Sequence, residues 1–270
     1  MPNIILLVGC GNMGFAMLKG WLEADPDLVA HVVEPSDPLR QRAASAGALA
    51  VASAEDLPAG LAPSLIFLAV KPQVMCEVVP AYASFAGGPA TFASVAAGTT
   101  IAALAEMLPG PTPIIRCMPN TPAAIGQGMM VCCANAHTRE ESKHLTSRLL
   151  ESSGEVAWID DEALMDAVTA VSGSGPAYVF HLIECLTAAA TEVGLPEDLA
   201  AKMALQTVRG AGAYAAASDD PPGQLREQVT SPGGTTAAAL GILMGDNRLQ
   251  SLMTEAVIAA RDRGAELAKG

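Results

Sequence analysis

The sequence predicts an α/β chain in two parts, a doubly wound parallel sheet over residues 1–160 followed by an all-α region over 161–270. Three observations carry this. In the first part, short and wholly apolar runs alternate with segments of helical period, the pattern of a parallel sheet covered by helices on both faces. Near residue 160 the strand-like runs stop, and helical period takes over. The 270 residues are 51% hydrophobic and only 16% charged, so the chain must bury a large core or hide surface in an oligomer.

Taken in order, NIILLV (3–8), VAHVVE (29–34), SLIFLAV (64–70), ATFASVA (90–96), TPIIRCM (112–118), MMVCCA (129–134) and EVAWI (155–159) read as strands. Residues 12–24 and 138–151 carry Ala, Leu, Glu and Arg at helical spacing and read as covering helices. In the second part, residues 160–171, 175–194, 196–218 and 247–268 are each predicted helical. Their boundaries are marked by Asp160 or Asp161 as a cap, by Pro176 and Pro196 in first turns, and by Gly194 as a stop. Several of these helices are apolar around much of their circumference, as helices are when a second subunit covers them.

The net charge of −13 argues against a nucleic-acid partner, which needs clustered Lys and Arg, and against an anionic membrane surface. No apolar run reaches the length of a membrane helix, and the opening run has no basic stretch before it, so it reads as a strand and not as a leader. Cys10, Cys76, Cys117, Cys132, Cys133 and Cys185 show no metal spacing, and vicinal Cys132 and Cys133 read as small buried hydrophobes. His31, His137, His144 and His181 form no metal pair either. A reduced, cytoplasmic enzyme without a metal is expected.

VGCGNMG places Gly9, Gly11 and Gly14 directly after the first strand and at the start of a helix. The first glycine permits the tight turn, the second lets a pyrophosphate approach the backbone, and the third lets helix pack on strand. Asn12 and Met13 then present the free N–H groups of the helix start to the phosphates. This is the fingerprint of a Rossmann-type nucleotide domain. The second strand ends at Glu34, whose carboxylate suits ribose hydroxyls and repels a 2′-phosphate, so of NADH and NADPH the former is favoured. Ser36, Arg40 and Arg42 follow; a mobile loop could turn an arginine toward a phosphate, but Arg42 reads better as a solvated helix residue.

Ligands of open α/β sheets bind beyond the carboxyl ends of the strands. AVKPQ (69–73) and RCMPNTP (116–122) both follow predicted strands, so Ala69, Val70, Lys71, Pro72, Met118 and Asn120 should line a nicotinamide crevice, with Ala96 of SVAAG (94–98) beside them. Lys71 reads equally well as a surface lysine at a strand end. Arg116, a charge inside an apolar strand, needs a partner, for which Asp160 or Asp161 is the candidate. SGSGPAY (172–178) is a second polar, glycine-rich turn before an apolar helix. TSPGGTT (230–236) opens another helix with more hydroxyl and glycine than a cap requires, and reads as a ligand loop.

These segments, in this order and after an N-terminal GxGxxG, closely resemble the pyrroline-5-carboxylate reductases over essentially the whole chain. SGSGPAY and TSPGGTT are the specific ones; EPSD (34–37) departs from the Asn-Arg or Ser-rich sequence of many members. The resemblance implies hydride transfer from NAD(P)H to a cyclic imine bearing a carboxylate, giving L-proline. It implies a homodimer paired through the helical part, an all-α dimerisation domain, and possible assembly of dimers into a higher oligomer. The substrate carboxylate would be gripped by backbone N–H groups and hydroxyls of Ser231, Gly233, Gly234, Thr235 and Thr236. Thr236 is the candidate catalytic residue, orienting the ring nitrogen. Two other readings keep the nucleotide domain: an imine reductase or 3-hydroxyacid dehydrogenase of the same build, and a sensor without turnover. The 3-hydroxyacid enzymes would place a lysine on an interdomain helix, whereas the helical part has only Lys202 and Lys269, neither beside a glycine-rich turn.

Overall fold

The computed structural model describes residues 3–267; residues 1, 2 and 268–270, at the outer ends of the two predicted domains, lie outside it. The chain divides into two compact units, one of residues 3–174 and 260–267 and the other of Gly175–Ala259. The strands of the first unit are β1 (Ile4–Val8), β2 (Val29–Val33), β3 (Leu49–Val51), β4 (Leu65–Leu68), β5 (Thr91–Ser94), β6 (Ile114–Met118), β7 (Gly128–Ala134) and β8 (Gly154–Trp158). They form a single sheet in the order β3-β2-β1-β4-β5-β6-β7-β8. The helices between them are α1 (Asn12–Ala24), α2 (Asp37–Ser45), the single turn α3 (Met75–Val78), α4 (Ile101–Met107) and α5 (Glu140–Glu151), followed by the short α6 (Met165–Val168).

The sheet is doubly wound, but not wholly parallel: β7 runs antiparallel to β6, with Cys117 opposite Cys132, and β8 is again parallel to β7. Residues 119–127, which join β6 to β7, are too few for a crossover helix, so the chain can only turn back. The turn closes at Gly126, whose φ of 71° needs no Cβ. β3 and α2 are additional to the segments read as strands and covering helices. Only three residues of β3 pair, and apolar length cannot mark so short a strand.

The wholly apolar runs are explained by burial on both faces. Leu7, Phe67 and Ile115 join Met17, Leu18, Trp21, Leu149 and Leu150 on one face; their chain neighbours Leu6, Ile66 and Ile114 join Tyr82, Phe92 and Leu104 on the other. The period-2 pleat sends successive residues to opposite faces, and both are covered. Cys117 and Cys132 lie in the first of these cores, and Cys133 is buried as well.

Residues 160–171 do not form one helix. A 3₁₀ turn at Glu162–Leu164, capped by Asp161, leads through α6 into a π-helical turn at Thr169–Gly173, closed by the Ser174 N–H donating to the Thr169 carbonyl at 2.8 Å. The second unit holds α7 (Gly175–Glu192), α8 (Glu197–Ala217), α9 (Pro222–Gln228), α10 (Thr235–Met244) and the start of α11 (Arg248–Leu267). Gly194, with φ 98°, stops the chain after α7. Among its described residues only Ala200, Ala204 and Leu225 are buried, while Val179, Phe180, Leu182, Ile242, Leu243 and Met253 stand exposed. A lone helical unit that buries so little is built to be covered.

Candidate active site

Because β1 to β6 run parallel, the residues following them share one edge of the sheet. The strand order reverses between β1 and β4, and the Gly9 and Ala69 segments flank that switch point. Gly9 has φ 86°, and a Cβ there would lie 2.8 Å from Val70 and 2.9 Å from the Ala69 carbonyl. At Gly14 a Cβ would lie 2.5 Å from the Gly9 carbonyl and 3.3 Å from the Ala69 Cβ. Around Gly11 there is open space, and no side chain caps α1, so the free N–H groups at Asn12 and Met13 face outward. Two glycines enforce close packing and one keeps an approach clear; this cradle fits a dinucleotide pyrophosphate.

The turn is held from the β2 side. Buried Glu34 accepts the Cys10 N–H at 2.7 Å with one oxygen and the Ser36 N–H at 2.9 Å with the other. Arg40 donates to the Glu34 and Pro35 carbonyls and pairs with Asp37. Arg42 is not a solvated helix residue: it donates to the Cys10 carbonyl at 2.9 Å and the Gly11 carbonyl at 3.2 Å, and its guanidinium lies 4.1 Å over the Phe15 ring. The nine-residue α2 brings Arg42, its second arginine, to the glycine-rich turn, where the Cys10 carbonyl and the Gly11 carbonyl, which also accepts the Phe15 N–H, supply acceptors. Burial pushes the Cys10 thiol up to about 11, against the opposing pull of Arg42.

On the far side of the switch point, half-buried Ala69 and Val70 lead to exposed Lys71 and Pro72, which open a 3₁₀ turn, and Ala96 is buried beyond β5. Thr100 caps α4 by accepting the Ala103 N–H at 3.1 Å. Arg116 pairs with Glu162 at 2.9 Å, and neither Asp160 nor Asp161 takes that place. Asp161 is turned to the Ala163 N–H, which leaves the next carboxylate facing the strand. The same Glu162 oxygen accepts the Ile101 N–H at 2.8 Å, so one carboxylate joins β6 to the start of α4. Sequence reading missed Glu162; its one signal is Arg116, which demanded a carboxylate.

Half-buried Met118 and Asn120 end the same edge. Asn120 accepts the Met129 N–H at 2.9 Å and donates to the Ser172 carbonyl at 3.1 Å. A Cβ on Gly173 would lie 2.5 Å from the Met118 methyl. RCMPNTP and the start of SGSGPAY are therefore brought together.

The Ser231–Thr236 loop belongs to the second unit. Its Gly234 N–H donates to the Ser231 carbonyl at 3.0 Å; Pro232 in second place and Gly233, φ 71°, in third give a type II turn. Gly234 then starts α10 with no side chain capping it, and a Cβ there would lie 2.6 Å from the Ser231 hydroxyl. Ser231, Gly233 and Thr235 are exposed and Thr236 half-buried, so hydroxyls and free N–H groups are offered together. Lys202 is exposed within α8, and Lys269 lies outside the described residues. A surface groove of about 760 Å³, lined by Pro63, Arg139, His144 and Arg148, is at the opposite, amino edge of the sheet and holds none of these residues. Among the described residues no three His, Cys, Asp or Glu side chains gather as a metal site.

A doubly wound sheet with this cradle at its switch point, followed by a helical unit, defines a nicotinamide-dinucleotide oxidoreductase. Residues 4–98 match the family model described as NADP oxidoreductase, coenzyme F420-dependent, and residues 162–267 match that of pyrroline-5-carboxylate reductase dimerisation. The pyrroline-5-carboxylate reductase of Pseudomonas aeruginosa is 41% identical over 98% of this chain and 97% of its own, and that of Pisum sativum 38% over 96% and 94%. A pyrroline-5-carboxylate reductase structure from Coxiella burnetii superposes with a TM-score of 0.93, at 30% identity and 99% coverage of both chains. A Plasmodium falciparum pyrroline carboxylate reductase with NADP bound gives 0.80, at 29% identity and 98% coverage of both. The chain belongs to the pyrroline-5-carboxylate reductase family.

Proposed function

We propose that the chain reduces 1-pyrroline-5-carboxylate to L-proline, the last step of proline biosynthesis, as a cytoplasmic homodimer that prefers NADH to NADPH. The observation that carries the reading is the uncapped, glycine-rich start of α10 with its hydroxyls, which matches a small carboxylate without any arginine. The bound nicotinamide supplies the hydride; the chain's own residues bind and orient. Gly9, Gly11 and Gly14 with the α1 N–H groups hold the pyrophosphate, and Ala69, Val70, Lys71, Pro72 and Ala96 form the wall along which the cofactor lies. Ser231, Gly233, Gly234 and Thr235 grip the carboxylate, and Met118 and Asn120 close the crevice. Thr236 hydrogen-bonds the ring nitrogen and fixes its orientation. A hydroxyl is a weak acid, so the proton comes from water or is already on the imine.

The preference for NADH is supported by Glu34, Arg40 and Arg42 together. A buried carboxylate follows β2, the end of the strand that faces the ribose in Rossmann-type domains, and both arginines are committed to backbone carbonyls. Pairing, and further assembly of dimers, is supported by the apolar faces of the helical unit. No helix of the described residues is long and apolar enough to cross a membrane, and all six cysteines are free.

The test is loss of reduced-nicotinamide absorbance with the imine, NADH and NADPH in parallel. Proline forming in step with the absorbance loss is expected, faster with NADH; no consumption by a protein that binds NADH would replace the substrate with another imine or a keto acid. Thr236→Ala should lower kcat about tenfold or more, the loss of one hydrogen bond in the transition state, with NADH affinity kept.

A further inference from the structure

Ser172 sits in the π-helical turn, and the residue four further on is Pro176. An α-helical carbonyl is ordinarily satisfied by the N–H four residues on, and proline has none to give. The donor that replaces it comes from another part of the chain: Asn120 Nδ2 reaches the Ser172 carbonyl at 3.1 Å and stands 3.5 Å from its hydroxyl. The other end of the same amide accepts the Met129 N–H at 2.9 Å. One partner is a carbonyl and the other an N–H, so the amide has a single orientation and both its ends are engaged. Met118 also packs against the joint: a Cβ on Gly173 would meet its terminal methyl at 2.5 Å, and the methyl would have to move aside. π-Turns are uncommon and gather at functional sites.

We propose that Asn120 is a positioning residue: its amide ties the MPNTP turn to the π-turn of SGSGPAY, and so sets where Met118 and the adjoining wall stand against the reacting ring. The inference rests on the reading that this edge of the sheet holds the nicotinamide. A displacement of the wall misplaces substrate against cofactor without removing a binding group, and such misplacement is felt in turnover.

Asn120→Asp keeps an acceptor for Met129 and removes the donor to Ser172. Its kcat is expected to fall tenfold or more, while the NADH dissociation constant, from fluorescence titration, stays within about threefold of the parent. Adding Pro176→Ala, with Pro176→Ala alone as baseline, returns an N–H to the Ser172 carbonyl from within the helix. The double variant should recover melting temperature and leave kcat low, because the tie between the turns is still missing. Recovery of kcat together with melting temperature would reduce Asn120 to filling an empty acceptor and overturn the proposal, as would a kcat within twofold of the parent in Asn120→Asp. If that variant does not fold, Asn120→Gln, with the same groups on a longer stem, is read by the same criteria. Turnover by the parent enzyme reports on the reaction itself, so a wrong substrate and a wrong role for Asn120 give different results.

Discussion

Replacing Glu162 with Gln tests how the first unit is held together around its internal ion pair. Arg116 is 6% exposed and Glu162 27%, at 2.9 Å, and the same carboxylate oxygen receives the Ile101 N–H. Removing one partner of a buried pair costs about 3–5 kcal/mol, mostly for the charge left behind. Two features lower that figure here. More than a quarter of the Glu162 side chain meets water, and a glutamine carbonyl still accepts from Arg116 or Ile101. A loss of about 2 kcal/mol follows, or roughly 4–8 °C at about 2–4 °C per kcal/mol for a chain of this size. Thermal unfolding by circular dichroism, at one fixed protomer concentration because subunit association shifts the midpoint, measures it. The double variant Arg116→Met with Glu162→Leu, which buries no charge, should regain most of the lost stability. A midpoint within 1 °C (about 0.5 kcal/mol or less) of the parent in Glu162→Gln, or a double variant less stable than the single one, would refute the reasoning.

Two further perturbations address the cofactor turn and the sheet. Gly14→Ala puts a Cβ 2.5 Å from the Gly9 carbonyl, a backbone atom that can yield only if the turn moves; NADH affinity should fall about tenfold or more, and unchanged affinity in a titration would remove the turn from the cofactor site. Burial lowers the pKa of His31, on β2, so the folded state keeps it neutral while the unfolded chain takes up a proton below about 6.5. That contribution to stability is present above about pH 6.5 and lost as the pH falls below it, so His31→Leu should flatten the decline of the urea midpoint between about pH 7 and 5; an unaltered slope would show that His31 has no part in it.

Most of the first unit was legible because its physics is local. Leu6 and Leu7 are both apolar since each face of β1 has a helix layer, and Gly9, Gly11 and Gly14 announce a turn whose sterics are short-range. β7 was legible as a strand but not in its direction, which depends on the short link over 119–127. Glu162 could not be chosen over Asp160 and Asp161, because three adjacent acids differ only in which way a 3₁₀ turn points them. Asn120 was legible as a residue following β6 at the carboxyl edge of the sheet; its tie to Ser172 was not, although Pro176 announced a carbonyl lacking its usual donor. The roles of Ser231 to Thr236 rest on chemical fit, as a cap-free helix start shows what it offers and not what takes it.

The clamp on the glycine-rich turn has a consequence for engineering. Both Glu34 oxygens are engaged, by the Cys10 and Ser36 N–H groups, and Arg42 grips the same residue, Cys10, at its carbonyl. On the reading proposed above, the residue that repels a 2′-phosphate is also the one that fixes the pyrophosphate turn. A redesign toward NADPH that merely deletes this carboxylate loosens the grip on both cofactors at once. A successful exchange has to bring a neutral acceptor for Cys10 along with the new cation, so cofactor choice in this chain changes by coordinated steps and not by a single one.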